Sequence, residues 1–356
     1  MMTRALALAE QALHLASPNP RVGCVLTDAK GQVLGEGHTQ AVGQAHAEVM
    51  ALRDARIRGL STQGATAYVT LEPCSHQGRT GPCCVALLEA GVRRVVVAVA
   101  DPNPLVNGQG LAYLRGRGVQ VELGLMEAQA RELNIGFFSR MNRKRPWVRM
   151  KIAASLDGQT ALGNGLSQWI TGPQARADGH AWRARACAVL TGMGTVRDDD
   201  PLLDVRAIAT PRQPTLVVVD SRWETPATAR LWQVHRPVWI YGARDDALAQ
   251  ASLSALGAEV RCLANADQKV DLAAMMGDLA ERGVNELHIE AGHLLNGSLL
   301  RGGWVDELLI YLAPKMLGPG RGMAQLPALT ELSQGLGFHW VECTPIGDDL
   351  RLRARV

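Results

Sequence analysis

An α/β architecture in two domains, each a central sheet covered by helices in three layers, is what this sequence predicts. Three observations predict it. At 356 residues the chain exceeds what one hydrophobic core comfortably organises. Strand-length apolar runs alternate with helix-length stretches through both halves. Composition also shifts near residue 146. All eight Trp lie beyond it, and the net charge is +5 over residues 1–145 (16 Lys+Arg, 11 Asp+Glu) but −2 over the rest (21 and 23). The short basic segment Arg143-Lys144-Arg145-Pro146 reads as a solvated linker stopped by proline. The domains are therefore 1–145 and 146–356.

In the first domain, Thr3 to Ala16 is an amphipathic helix, because Glu10 and His14 interrupt its apolar run; no secretory signal is expected there. S-P-N-P breaks the chain before a strand, V-G-C-V-L (22–26), a turn at Lys30-Gly31 and a second strand, V-L-G-E-G (33–37). A helix starts near His46. Next come the strand A-T-A-Y-V-T-L (65–71), a loop, a helix over 82–91, the strand R-V-V-V-A-V-A (94–100), a helix over 109–117, the strand V-Q-V-E-L (119–123) and a helix over 127–141. The second domain has apolar strands near 148–154, 187–191, 215–220, 238–242, 286–290 and 307–312, and ends in a hairpin over 338–355. The sequence shows neither an internal repeat nor a low-complexity tract.

Bulk properties exclude several classes. A net charge of +3 is too small to argue for nucleic acid, and no apolar run reaches bilayer-spanning length. Seven cysteines, two of them adjacent, point to a reducing compartment with thiols as ligands, so the cytoplasm is expected.

Chemistry concentrates in Q-A-H-A-E-V-M (44–50) and L-E-P-C-S-H-Q-G-R-T-G-P-C-C (71–84). A lone His46 would be read as a helix-start histidine satisfied by a backbone carbonyl. Its company changes that reading. His46 and Glu48, two residues apart at a helix start, diverge, so the imidazole can face a metal while the carboxylate reaches past it. Cys74 ends a strand, and Cys83 opens a helix whose dipole favours thiolate. Three soft or borderline ligands with a fourth position left to water describe a catalytic zinc, one per chain. Cys84 could compete with Cys83 for it, but Cys83 fits the spacing better. Zinc would bring its water toward neutrality, and Glu48 would take the proton as hydroxide attacks a ring carbon, then protonate the ring nitrogen and the leaving amine.

The eight residues between Cys74 and Cys83 depart from the two of the usual deaminase signature. Gly78, Gly81 and Pro82 make the return to the metal feasible, and His76, Arg79 and Thr80 are displayed beside it. Arg79 there suits a phosphate, although a solvated loop arginine is the plainer alternative.

H-A-E followed by T-L-E-P-C-S-H-x-G-x-T-x-P-C-C and preceded by P-N-P-x-V-G-C-V resembles the bifunctional riboflavin biosynthesis proteins along essentially the whole chain. That resemblance implies a cytidine-deaminase-like zinc domain followed by a dihydrofolate-reductase-like domain using NADPH. The implied first reaction is hydrolytic deamination of 2,5-diamino-6-(5-phosphoribosylamino)pyrimidin-4(3H)-one. The second is NADPH-dependent reduction of the ribosyl group of 5-amino-6-(5-phosphoribosylamino)uracil to ribityl. Asn19, Ser75, His76, Arg79, Thr80, Asp101 and Asn103 would line the first pocket. Where the family often has a His seven residues before the zinc His, this chain has Thr39, with His38 beside it. The resemblance also implies phosphorylated pyrimidine substrates and a homo-oligomer, dimer or tetramer, with no membrane or nucleic acid.

The second domain contains no G-x-G-x-x-G, so a Rossmann dinucleotide site is not indicated. Instead, small and polar residues gather where apolar strands end, at 151–158, 167–171, 192–201, 217–221 and 289–298. Gly292 enters a helix whose N–H groups could hold a pyrophosphate, though a plain Gly-started helix explains it as well. The resemblance places Ala153, Trp169, Thr195, Asp199, Ser221, Gly292, His293, Leu294, Leu295, Asn296, Gly297 and Ser298 on the cofactor, with His293 a mild departure. It places Lys151, Ser167, Arg183, Leu203, Arg206 and Glu290 on the substrate. Arg183 and Arg206 suit a ribose 5-phosphate. Lys151, Asp199 and Glu290 are candidates for electrostatic or acid help, while Asp198 to Asp200 could equally form a solvated turn.

Two other classes stay in view. A zinc deaminase acting on nucleosides or tRNA, fused to a binding domain without redox chemistry, predicts a basic, aromatic-bearing surface on the first domain, which has no Trp. A zinc-stabilised interaction protein predicts a fourth protein ligand and no use for Glu48.

Overall fold

The computed structural model describes residues 1–75 and 81–356. The chain divides into two compact units, Met1–Arg145 and Pro146–Val356. The first contains α1 (Met2–Gln11), β1 (Gly23–Thr27), β2 (Val33–His38), α2 (Ala47–Ile57), β3 (Thr66–Val69), α3 (Cys83–Glu89), β4 (Arg94–Val97), α4 (Gln109–Arg115), β5 (Gln120–Leu123), α5 (Glu127–Leu133) and α6 (Ile135–Arg143). Its sheet has the order β2-β1-β3-β4-β5, with β1 antiparallel to both neighbours and β3, β4 and β5 parallel.

Alternation along β1 and β2 sends Gly23 toward α1 and Gly37 toward α2. Neither position has room for a side chain. A Cβ on Gly23 would sit 1.9 Å from the Ala5 carbonyl oxygen, and one on Gly37 would sit 2.5 Å from the Ala51 nitrogen. Both helices therefore lie directly on the sheet, and α2 brings its N-terminus, with His46 and Glu48, to a set height. The expected helix over 3–16 ends at Gln11, and the expected helix over 127–141 breaks at Asn134. The break has a long-range cause: the buried Asn134 amide accepts from the Arg21 N–H and donates to the Arg21 carbonyl, both at 2.8 Å. That clip ties the helices to the chain entering β1.

The second unit contains β6 (Trp147–Ser155), β7 (Gln159–Leu162), α7 (Pro173–Arg185), β8 (Ala188–Gly192), α8 (Met193–Asp199), β9 (Thr215–Val219), β10 (Val238–Gly242), α9 (Ala247–Ala255), β11 (Ala258–Cys262), α10 (Leu272–Glu281), β12 (Glu286–Ile289), α11 (His293–Arg301), β13 (Glu307–Ala313), β14 (Gly320–Gly322), β15 (His339–Ile346) and β16 (Asp349–Arg355). Nine strands form one sheet, β11-β10-β9-β8-β12-β6-β13-β16-β15. It is parallel except where β16 runs against β13 and β15. One face packs Val148, Met150 and Leu190 against Met275 and Leu279 of α10 and Leu299 of α11. The other packs Val189, Leu216, Val218 and Ile240 against Val196 of α8 and Leu253 of α9. Strands β7, β11 and β14 are additions to the expected set. They are short or partly exposed, so they carry no continuous apolar run.

Beneath α7 the sheet carries charge instead of hydrocarbon. The Arg149 guanidinium, fully buried, donates to Glu307 (2.7 Å) and Glu286 (3.2 Å) under the Trp182 ring. Arg185 adds a second partner to Glu286, and Arg353 and Arg355 add theirs to Glu307. No helix among the described residues is long and apolar enough to cross a membrane.

Candidate active sites

In the first unit, His46 is the residue that caps α2 with extended backbone, and Glu48 stands in the first helical turn, 3% exposed. Pro82 caps α3, so Cys83 becomes its first residue, and the Cys83 N–H donates to the Cys74 thiol sulfur at 3.4 Å. His46 Nδ1 lies 3.6 Å from Cys74 Sγ and 3.4 Å from Cys83 Sγ. A tetrahedral zinc with its usual bond lengths spaces nitrogen and sulfur ligands about 3.5 Å apart. The triangle fits the ion. Among the described residues it is the single cluster of His, Cys or carboxylate groups with such spacing.

Electrostatics agree with that donor set. Cys74 is pulled down to about 4, first by the Cys83 thiol hydrogen bond and against burial, with His46 adding to it. Cys83 is pushed up because it keeps the proton the pair shares. His46 is raised by its hydrogen bond to Cys74. Deprotonated donors are what a metal requires, so one thiolate is ready and the shared proton leaves on metal binding. Burial, reinforced by the Cys74 charge, pushes Glu48 up to about 7, beside the triangle yet outside it. Cys84, one residue further along α3, stands outside the triangle and packs in the hydrophobic core.

The remaining expected contacts of this unit fall unevenly. Asn19 is half-buried in the turn between α1 and β1, and its N–H donates to the Ala16 carbonyl. The Ser75 hydroxyl is buried with no hydrogen-bond partner among the described residues. Asp101 is buried after β4 and accepts from the Asn103 N–H at 2.8 Å. Burial raises its carboxyl to about 6, and the nearby Glu72 and Cys74 charges add to the rise. His76, Arg79 and Thr80 lie outside the described residues, as does Gly78. Thr39 is buried and bonded to the Val22 backbone, so it serves the sheet. His38 pairs in register with Gly23 and so projects to the α1 face, away from the α2 face that carries His46 and Glu48. It does not replace the missing histidine.

Glu72 carries a role that reading the sequence missed. Its buried carboxylate accepts four backbone N–H groups, from Asp101, Gly108, Gly110 and Leu111. The available signal was an acidic residue at a buried strand end, immediately before Pro73-Cys74.

In the second unit, a cleft of about 1840 Å³ opens at the carboxyl ends of the parallel strands. It gathers residues distant in sequence: Lys151 and Ala153 of β6, Ser167 and Trp169 before α7, Arg183 of α7, and Thr195 and Asp199 of α8. Leu203, Arg206, Ser221 and Glu290 line it too, with Gly292, His293, Leu294, Leu295, Asn296 and Ser298 at the start of α11. Drug-sized ligands occupy about 300–1,000 Å³, so the volume suits a dinucleotide together with a second ligand. Gly292 caps α11 with extended backbone, presenting the free N–H groups of a nine-residue helix. The buried Asn296 Oδ1 has no partner among the described residues, while its amide nitrogen donates to the Met323 carbonyl. A hydrogen-bonding dinucleotide fits these orphaned groups. Trp169 is 63% exposed, with Arg176 stacked 4.6 Å from its ring, and offers a flat face to the cleft.

Two expectations need correction. Gly297 does not line the cleft. It faces the Gln325 backbone, where a Cβ would sit 2.0 Å from the carbonyl oxygen, so its lack of a side chain serves packing. Arg183 is not a free phosphate clamp. Its guanidinium grips Glu290 through two bonds, at 2.6 and 2.9 Å, and also donates to the Asp204 carbonyl. Arg206 is also paired, to Asp204, but its side chain is half exposed, which makes it the more accessible cation of the two. Burial pushes Glu290 up, but Arg183, His288 and Lys151 outweigh it and hold it well below the usual range. Burial lowers Lys151, with Glu290 opposing at 3.8 Å. Ser167 Oγ donates to Asp199 at 2.9 Å, joining an expected substrate contact to an expected cofactor contact.

Residues 1–99 match the family described as "Cytidine and deoxycytidylate deaminase zinc-binding region", and residues 146–352 match "RibD C-terminal domain". The chain is 43% identical to the riboflavin biosynthesis protein RibD of Escherichia coli, over 99% of this chain and 97% of that one. It is 43% identical to the protein of the same name from Haemophilus influenzae, over 99% and 95%. Among solved structures, Acinetobacter baumannii RibD superposes with a TM-score of 0.90 at 39% identity, covering 99% of this chain and 97% of the other. A Thermotoga maritima protein described as a diaminohydroxyphosphoribosylaminopyrimidine deaminase/5-amino-6-(5-phosphoribosylamino)uracil reductase superposes at 0.89, with 30% identity and the same coverage.

Proposed function

The chain belongs to the RibD family of riboflavin biosynthesis proteins, a bifunctional deaminase and reductase, and from that premise we propose which of its residues perform each reaction. Its cofactors are zinc and NADPH. The observation that carries the first assignment is the His46–Cys74–Cys83 triangle with a buried carboxyl, Glu48, beside it.

The substrate is the diaminopyrimidine ribotide, whose exocyclic C–NH₂ bond is exchanged for C=O with water consumed and ammonia released. His46, Cys74 and Cys83 would hold zinc, which would supply Lewis-acid polarisation that brings a water's acidity near neutral pH. Glu48 accepts that water's proton and returns protons to the ring nitrogen and to the departing amine. Its elevated proton affinity equips it for both directions of transfer. Asp101 and Asn103, on the loop after β4, contact the pyrimidine, with Asn19 and Ser75. His76, Arg79 and Thr80 keep the roles the family resemblance implies.

In the second unit NADPH, when bound, would supply a hydride for the ribosyl C1, and the protein's residues orient the pair. The start of α11 holds the dinucleotide, with Trp169, Thr195 and Ser221. Arg206 takes the ribose phosphate. Glu290, locked by Arg183, fixes Lys151 at 3.8 Å, and Lys151 holds a proton for the opened sugar oxygen. Incubating purified protein with the diaminopyrimidine ribotide and NADPH should release ammonia and oxidise NADPH in equal amounts. NADPH oxidation that does not depend on the substrate would remove the reductase assignment.

The protein works in the cytoplasm, a placement supported by seven free cysteines. It acts as a homo-oligomer. Supporting this, Leu326, Leu329, Leu332 and Leu336 are exposed in the segment before the edge strand β15, where Trp340 is 68% exposed. Sedimentation of wild type and Leu332→Asp should show a larger species that the charge weakens; a wild-type monomer at micromolar concentration would refute it.

A further inference from the structure

We propose that Glu72 is a positioning residue for deamination, setting the Asp101–Asn103 loop at a defined distance from Cys74. The proposal rests on the reading that this loop contacts the pyrimidine. Glu72 stands two residues before the metal ligand Cys74 and is 3% exposed. Its own N–H is tied to the Val99 carbonyl at 3.0 Å, on the strand end that leads into the loop. One carboxylate oxygen accepts from Asp101 N (3.2 Å) and Gly108 N (2.9 Å), and the other from Gly110 N (3.0 Å) and Leu111 N (3.3 Å). The four donors belong to both ends of one loop, its start at Asp101 and its return into α4.

Only a group with two acceptor oxygens and no donor answers four converging N–H groups. A glutamine of the same shape would turn an NH₂ against two of them. Simple capping of α4 would need the Gly110 and Leu111 bonds alone. The bonds to Asp101 and Gly108 are what fold the loop back on the strand end of Cys74. A second contact works in the same direction. A Cβ on Gly110 would sit 2.0 Å from the Pro73 carbonyl oxygen, so α4 seats directly on the Pro73–Cys74 peptide beside Glu72. The substrate loop and the metal ligand thus share one anchor.

The test compares Glu72→Gln and Glu72→Asp in the full chain. Each is measured for deaminase kcat and KM, zinc content, reductase activity and amide exchange over 101–111. In Glu72→Gln the deaminase KM should rise roughly tenfold with kcat changing far less. Exchange at Asp101 and Gly108 should quicken, while zinc content and reductase activity hold. Glu72→Asp keeps the charge and shortens the reach, so it should show a smaller KM rise; it carries the test if the glutamine variant does not fold. An unchanged KM in both, or activity lost in proportion to zinc, overturns the proposal. Asp101→Ala and Asn103→Ala separate the premise from the inference. If they leave KM unaltered, the loop does not contact substrate. If they raise it while the Glu72 variants do not, the loop reading stands and the role of Glu72 falls.

Discussion

Glu48→Gln is expected to slow deamination by about a thousandfold while reduction in the same chain proceeds at its normal rate. A glutamine fills the same buried space but takes up no proton, and positioned acid–base groups contribute about 10²–10⁴-fold. The variant should keep its metal, because Glu48 lies beside the ligand triangle and not in it. The reductase residues all belong to the other unit, so ribosyl reduction serves as an internal control for folding. Ammonia release from the diaminopyrimidine ribotide and NADPH oxidation with the deaminated ribotide are the two readings to take. A variant that deaminates within tenfold of wild type would end the assignment of Glu48 as the proton-transfer group. It would also restore the alternative of a zinc site used only for structure.

Glu307→Gln is expected to destabilise the reductase unit by about 3 kcal/mol at neutral pH. Its carboxylate is fully buried among Arg149, Arg353 and Arg355. Neutralising it leaves Arg149 with Glu286 as its remaining close carboxylate and three guanidiniums facing an amide. The pH dependence gives the same size independently. Burial alone would push the Glu307 carboxyl up, but Arg149 and Arg353 outweigh it and hold it at about 2, against an ordinary value of 4.5. A depressed folded value means that the stabilisation is full above about pH 4.5 and disappears as pH falls toward 2. Each unit of displacement corresponds to about 1.4 kcal/mol, which again yields roughly 3 kcal/mol. Urea unfolding from pH 7 to pH 2.5 should therefore show wild type and variant far apart at neutral pH and converging in acid. A gap that persists at pH 2.5 would show that Glu307 acts through packing and not through charge.

The zinc site was the most legible part of the molecule. Its donors are announced by short local motifs, and the helix start that aims His46 and Glu48 apart is itself a local feature. Spacing favoured Cys83 over Cys84, and in α3 Cys83 stands at the triangle while Cys84 packs in the core. In the reductase unit the segments that end apolar strands do line the cleft, whereas Arg183, Leu203 and Arg206 lie outside those segments and were implied by the family resemblance alone; Gly297, inside one segment, packs on Gln325 instead. Arg183 shows the limit most directly. As a cation in a helix it looked free for phosphate, but its partner Glu290 is 107 residues away. The break at Asn134 was hidden for the same reason, since its clip reaches Arg21, 113 residues earlier. Glu72 was in plain view within L-E-P-C and still carried no reading, because its four partners lie 29 to 39 residues downstream.

The sequence by itself determined the two-part α/β plan, the boundary near Pro146, the metal-binding donor types and the family of enzymes to which the chain belongs. These follow from periodicity, composition and motif spacing, which are properties of neighbours along the chain. Only the tertiary structure decided which arginine is already spent on a carboxylate and how Glu72 joins a metal ligand to a loop. Burial and hydrogen-bond partnership arise between segments far apart in sequence. In a low-dielectric interior those long-range pairings determine which charges exist and where they point.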